Sequence, residues 1–177
     1  MKEKESMKIS CIFARYLFLI LMSISNLWIF YFVFTPLTMY PVYHIFSLFY
    51  ETSIIGTFII IDNIPVEFIM ACIAGSAYYL LLILIFSTPD IKLKERLLMV
   101  FIAFTSLLLI NIVRISILIL VLFYGYSFFD VTHKLFWYVM STVFVIAIWF
   151  AEARYFKVKG IPIYSDIKYL FKKINGK

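Results

Sequence analysis

Residues 97–125 read LLMVFIAFTSLLLINIVRISILILVLFYG, a run of 29 residues with one charge, Arg114. At about 1.5 Å of rise per residue such a helix reaches roughly 44 Å, more than the hydrocarbon core of a bilayer at about 30 Å. The whole chain has this character: of 177 residues, 64% are apolar or aromatic and 15% are charged, with a mean hydropathy of +1.01. Soluble domains run nearer half and a quarter, which excludes an ordinary globular protein, a disordered chain and a disulfide-rich secreted domain. The net charge of +6 would point to nucleic acid if the basic residues formed a patch on a polar surface. They fall instead into three short clusters between apolar runs, the pattern of an integral membrane protein, and no nucleic-acid partner is expected.

Working outward, three further spans are predicted. Cys11–Phe34 is apolar apart from Arg15, and its 24 residues reach roughly 36 Å. A cleavable signal peptide is the alternative, but the run exceeds the usual apolar length of about 15 and has no small-x-small cleavage site. Residues 71–88 are uncharged and reach roughly 27 Å. The last span, 133–153, has Lys134 at its start and no further charge as far as Ala151. Lys2, Lys4, Lys8 and Arg15 precede or open the first span, and Lys92, Lys94 and Arg96 follow the second. Seven more Lys and Arg lie between Arg154 and Lys177, whereas 35–70 and Tyr126–Thr132 contain neither. The positive-inside rule then gives a single domain, 1–177, with both termini cytoplasmic in the cell membrane.

Two connecting regions complete the expected architecture. Residues 35–70 are too apolar for a solvated loop and read as an external cap, broken early by Pro36 and Pro41. A helix over Val42–Ile55 and a turn at Asp62-Asn63 between short extended pieces are expected there. In the tail, 161–177, Ile167, Leu170, Phe171 and Ile174 recur at helical spacing opposite Lys168, Lys172 and Lys173. That pattern predicts an amphipathic helix on the anionic inner leaflet, capped by Ser165, with a disordered tail as the alternative. The expected fold class is an all-α integral membrane protein of about four transmembrane helices, an extracytoplasmic cap and a C-terminal interfacial helix.

Chemistry concentrates on the outer side. Arg114 falls roughly 9 to 16 Å below the outer surface, where a charge is costly and normally faces other helices, a wet cavity or a partner. Snorkelling is the alternative. Asn111 shares its face, one turn earlier. Cys72 opens the second span, with Gly75 and Ser76 small enough for another backbone or a peptide to approach. A thiol at a helix amino end beside a guanidinium favours the thiolate; a small buried apolar residue is the competing reading. A disulfide with Cys11 is not expected, since the predicted spans put a membrane thickness between them. His133 opens the last span and could carry a proton to a leaving amine, or be a plain boundary residue. His44 and Glu67 are outer-side accessory candidates or surface residues. Cys72, His133, His44 and the nearby acids lack close ligand spacing, so no metal and no other cofactor is expected.

Over about residues 66–155 the chain resembles the exosortase/archaeosortase family of membrane transpeptidases. The resemblance is carried by Ala71-Cys72 with Gly75, by Asn111-x-x-Arg114-Ile115 and by His133-Lys134. Family members read Cys-Ser-Gly or Cys-Thr-Gly, whereas Ile73 and Ala74 here separate Cys72 from Gly75, with Ser76 beyond. The small size is similar to short archaeosortase-like members. The resemblance implies Cys72, Arg114 and His133 as the active trio of a cysteine protease. Its partners would be exported proteins ending in a recognition motif, an apolar helix and a basic cluster. The acyl group would pass to an amine, such as a membrane-lipid head group, or to water. The alternative is a non-enzymatic membrane subunit or transporter component with Arg114 and Asn111 as intramembrane polar contacts.

Overall fold

The computed structural model describes residues 2–24, 26–125 and 141–175. The elements are α1 (Lys2–Ile24), α2 (Trp28–Ser47), β1 (Thr52–Ile55), β2 (Phe58–Ile61), β3 (Ile64–Glu67), α3 (Met70–Ile73), α4 (Gly75–Phe86), α5 (Leu93–Phe123), α6 (Ser141–Tyr155) and α7 (Tyr164–Asn175). The protein is mainly helical, and two helices, α2 and α5, are long and apolar enough to cross a membrane.

The helices form legs that alternate in direction. α1 and α2 together make one kinked leg: Tyr79 Oη donates to Leu19 O at 2.9 Å, Phe30 packs edge-on against Tyr79 and Phe104, and Tyr50 stacks on Phe123. α3 and α4 run back, α5 returns, and α6 descends beside α5. Between the legs Tyr78, Leu81, Ile85, Met99 and Ala103 have no exposure. Phe34 stacks on Tyr78 with centroids 3.7 Å apart, and Phe104 meets both rings at an edge.

Several boundaries differ from the expected ones. The predicted span 11–34 is interrupted where Asn26 (φ 49°) and Leu27 (φ 60°) turn left-handed. α2 then continues through Pro36 and Pro41 to Ser47. Each proline removes one ladder bond, but Phe34, Met39, Val42 and Phe46 bury one side of this helix, and packing outweighs the local loss.

The expected helix over 42–55 is absent, and the fold is not all-α: Thr52–Glu67 forms a three-stranded antiparallel sheet in the order β1-β2-β3. Its strands are rich in β-branched residues, and its two-residue connections carry the required left-handed positions. These are Gly56 (φ 61°) and the anticipated turn at Asp62 (φ 45°) and Asn63 (φ 66°), as mirror-image hairpin turns demand. The Asp62 carboxylate also accepts the Glu51 N–H at 3.1 Å. Ile59 and Ile61 are fully buried, and β1 and β2 pack on α2.

The predicted span 71–88 is broken as well, at left-handed Ala74 (φ 59°, ψ 37°). Of the predicted span 133–153, the part from Ser141 is helix α6, and the earlier part lies outside the described residues.

The Leu93 end of the molecule is fastened by arginines. Arg96 Nη1 donates to Ile85 O and Phe86 O, both at 2.7 Å, and its Nη2 to Thr88 O at 2.9 Å. Arg15 Nη1 donates to Phe86 O and Thr88 O, while its Nη2 meets both Asp166 oxygens at 3.0 and 2.9 Å. Tyr16 Oη donates to Asp166 at 3.2 Å. The tail helix expected at 161–177 is present as α7, but Ser165 does not cap it. Its hydroxyl accepts the Ile161 N–H from outside the helix. Asp166 is buried against α1, whereas Ile167 and Phe171 are exposed.

Asp166→Ala would strand the Arg15 guanidinium at a mostly buried site and cost about 2 to 3 kcal/mol. Hydrogen exchange should rise selectively across 164–175 and leave α4 and α5 unchanged. Equal protection in both proteins would show that the ion pair does not hold α7.

Candidate functional site

The break at Ala74 takes the last carbonyls of α3 out of the helical ladder, and α5 supplies their donors. Asn111 Nδ2 donates to Cys72 O at 2.8 Å. Arg114 Nη2 donates to Ala71 O at 3.3 Å and to Cys72 O at 3.2 Å, and its Nη1 to Ser141 Oγ at 3.1 Å. Arg114 is 6% exposed and Asn111 2%, so neither side chain snorkels to a surface. Both face the interior, as expected for polar groups in so apolar a helix.

Cys72 therefore lies in a single helical turn before the break, not at the amino end of a long helix as expected. The macrodipole of so short a helix offers its thiol little. The neighbouring guanidinium is present: Arg114 and Glu67 are both within electrostatic reach of the partly buried thiol. One donor of Arg114 is left over, because its Nε is buried and has no hydrogen-bond partner among the described residues.

The remaining sequence candidates divide. Gly75 was expected to admit a peptide, but the Tyr31 ring occupies that place: a Cβ on Gly75 would sit 2.7 Å from its Cε1 and Cζ. Ser76 is exposed and lines a cleft of about 300 Å³ between α4 and α6, with Ala74, Ala77, Ser141 and Val145. This cleft opens beside the Cys72 segment and the serine that Arg114 holds. His133 lies outside the described residues. His44 is exposed on α2, edge-on to Tyr43. Cys11 lines a hollow with Arg15 and Arg96 at the opposite end of the helices, and both cysteines are free thiols. Among the described residues, no group of three His, Cys, Asp or Glu is placed to hold a metal ion.

Two residues of the site were not singled out from sequence. Ser141 receives Arg114; its signal was a Ser-Thr pair inside an apolar span. Tyr78 is fully buried with an unpartnered hydroxyl among the described residues, and it lies within electrostatic reach of Arg114. A phenol in an apolar helix normally finds a hydrogen-bond partner when buried, which was the available sign.

The arrangement places a thiol, a spare guanidinium N–H and an open cleft at one level of the molecule. No protein-family model, curated protein or solved structure matches the chain.

Asn111→Ala removes the shortest of the three bonds to α3 and should cost about 1 kcal/mol. With Cys11 replaced by Ser, Cys72 should then react several-fold faster with a maleimide in detergent, as α3 loosens. An unaltered labelling rate would show that Asn111 does not hold this turn.

Proposed function

We propose that the chain is a four-span membrane cysteine protease and transpeptidase of the exosortase/archaeosortase kind, which removes C-terminal sorting tails from exported proteins. The observation that carries this reading is the convergence of Arg114 on the Cys72 segment, with its Nε unpaired among the described residues, beside an open cleft. Both termini would be cytoplasmic. Lys92, Lys94 and Arg96 at the start of α5 share one end with the basic tail helix, which supports that orientation. The Phe123 end of α5, with the sheet, then faces outward, and Arg114 sits nine residues, about 14 Å, below it.

In the proposed reaction the Cys72 thiolate attacks the scissile carbonyl carbon, and the carbonyl oxygen becomes an oxyanion that accepts from Arg114 Nε. His133, eight residues before Ser141 in the chain, takes the thiol proton and gives it to the leaving amine as the C–N bond breaks. The thioester passes to an amine, such as that of a lipid head group, or to water. Oxyanion donors in a dry site stabilise the charge strongly because no solvent must reorganise. A non-enzymatic membrane subunit is the second reading. It is favoured by the fact that three of the four hydrogen bonds from Arg114 and Asn111 serve backbone carbonyls.

Co-expression with an exported protein bearing an apolar, basic-ended tail separates the two. Wild type should shorten the substrate and Cys72→Ser should leave it intact. Arg114→Ala should slow the cut by about 10² to 10³-fold. Arg114→Lys should retain part of the activity, since it keeps the charge but not the planar fork. Tail removal by Cys72→Ser at the wild-type rate would end the nucleophile assignment.

A further inference from the structure

Glu152 on α6 is used by nothing described so far. It is 5% exposed; its carboxylate lies near the Ala103 backbone of α5, but among the described residues neither oxygen has a partner of full hydrogen-bond geometry. Its helical neighbours at three and four positions either side are Ile148, Trp149, Tyr155 and Phe156. None carries a charge, and Arg154, two positions on, points away round the helix. The carboxylate lines an open groove of about 360 Å³ between α5 and α6, walled by Ile102, Ser106, Ile148 and Tyr155. A lone acidic group in such surroundings is costly to bury and is found where it meets a cation or a donor.

We propose that this groove receives an apolar helix of a partner protein that carries one Lys or Arg, and that this cation pairs with Glu152. The chemistry of the walls selects the first property, and the unpaired carboxylate selects the second. Position agrees with both. Glu152 lies one turn before the end of α6, on the side assigned above to the cytoplasm, where membrane helices carry their basic flank. A long Lys or Arg side chain placed there keeps its stem on apolar walls while its charge reaches the acid. A sorting tail has these two properties, an apolar helix followed by basic residues. The proposal rests on the membrane placement argued above and does not depend on Cys72.

The test uses full-length protein carrying Cys72→Ala, with an energy-transfer acceptor on Cys11, in nanodiscs of neutral phospholipid. The probe is a donor-labelled helix of Leu and Ala with one Lys near its carboxyl end, compared with the same helix bearing Gln. The Lys helix should bind about tenfold tighter, and Glu152→Gln should erase the difference. Glu152→Lys should reverse the preference towards a helix bearing Glu at that position, which a misfolded variant would not do. Equal binding of the Lys and Gln helices would overturn the proposal. So would self-association of the chain that is lost with Glu152→Gln, since the occupant would then be a second copy. Because the protein tested lacks the Cys72 thiol, its result is separable from the fate of the peptidase reading.

Discussion

Backbone carbonyls at the two ends of a short apolar leg must find donors without water, and arginines provide them. α4 has 12 residues and reaches only about 18 Å, so neither of its ends extends as far as those of α5. At the Leu93 end, Arg96 and Arg15 satisfy Ile85, Phe86 and Thr88, and Thr88 Oγ1 returns a bond to Leu84 O at 2.6 Å. At the other end, where Ala74 breaks the leg, Asn111 and Arg114 satisfy Ala71 and Cys72. An orphaned carbonyl in such surroundings costs a substantial fraction of a fold's net stability. These side chains therefore fix the register of α5 against α3 and α4, and through Ser141 and Asp166 they fix α6 and α7 too.

The candidate site follows from that repair. Arg114 is long enough to reach two carbonyls and a hydroxyl with its terminal nitrogens, while its Nε has no hydrogen-bond partner among the described residues. A lysine in its place would have one nitrogen for the same task. The side chain that holds the Cys72 turn is thus also the only guanidinium described beside it, so its structural role and the role proposed for it fall on one residue. Tyr78, clamped by Phe34, adds a second hydroxyl whose position the packing dictates.

Much of this was legible in the sequence, for a specific reason. A single arginine in 29 apolar residues has to be buried against something polar, and Asn111 one turn away marked the face. The partner was not legible, because nothing local announces that Ala74 adopts a left-handed conformation. That break makes the contact of Arg114 with a neighbouring helix a contact with backbone carbonyls. Residues 35–70 depart from the expectation because proline was weighed there as a breaker. Pro36 and Pro41 lie within α2 because Phe34, Met39, Val42 and Phe46 pack strongly enough to hold the helix across them. The turn at Asp62-Asn63 was read correctly because those two residues tolerate positive φ. The strands on either side of Gly56 carry the same kind of signal, which the expected helix over 42–55 leaves out of account.

The distribution of polar groups favours a lipid surround over water. Phe13, Leu17, Phe32, Phe101, Val113 and Phe150 all point outward and are more than half exposed. Arg96, Asn111, Arg114, Glu152 and Asp166 are instead turned inward. A soluble fold of this size with such a surface would present contiguous apolar patches to water and associate through them. In hydrocarbon the same surface costs nothing, and attraction between the legs has to come from close packing and from hydrogen bonds between helices. The interior contains both kinds of contact, in the stacked rings around Tyr78 and in the arginine-to-carbonyl bonds at either end of α4.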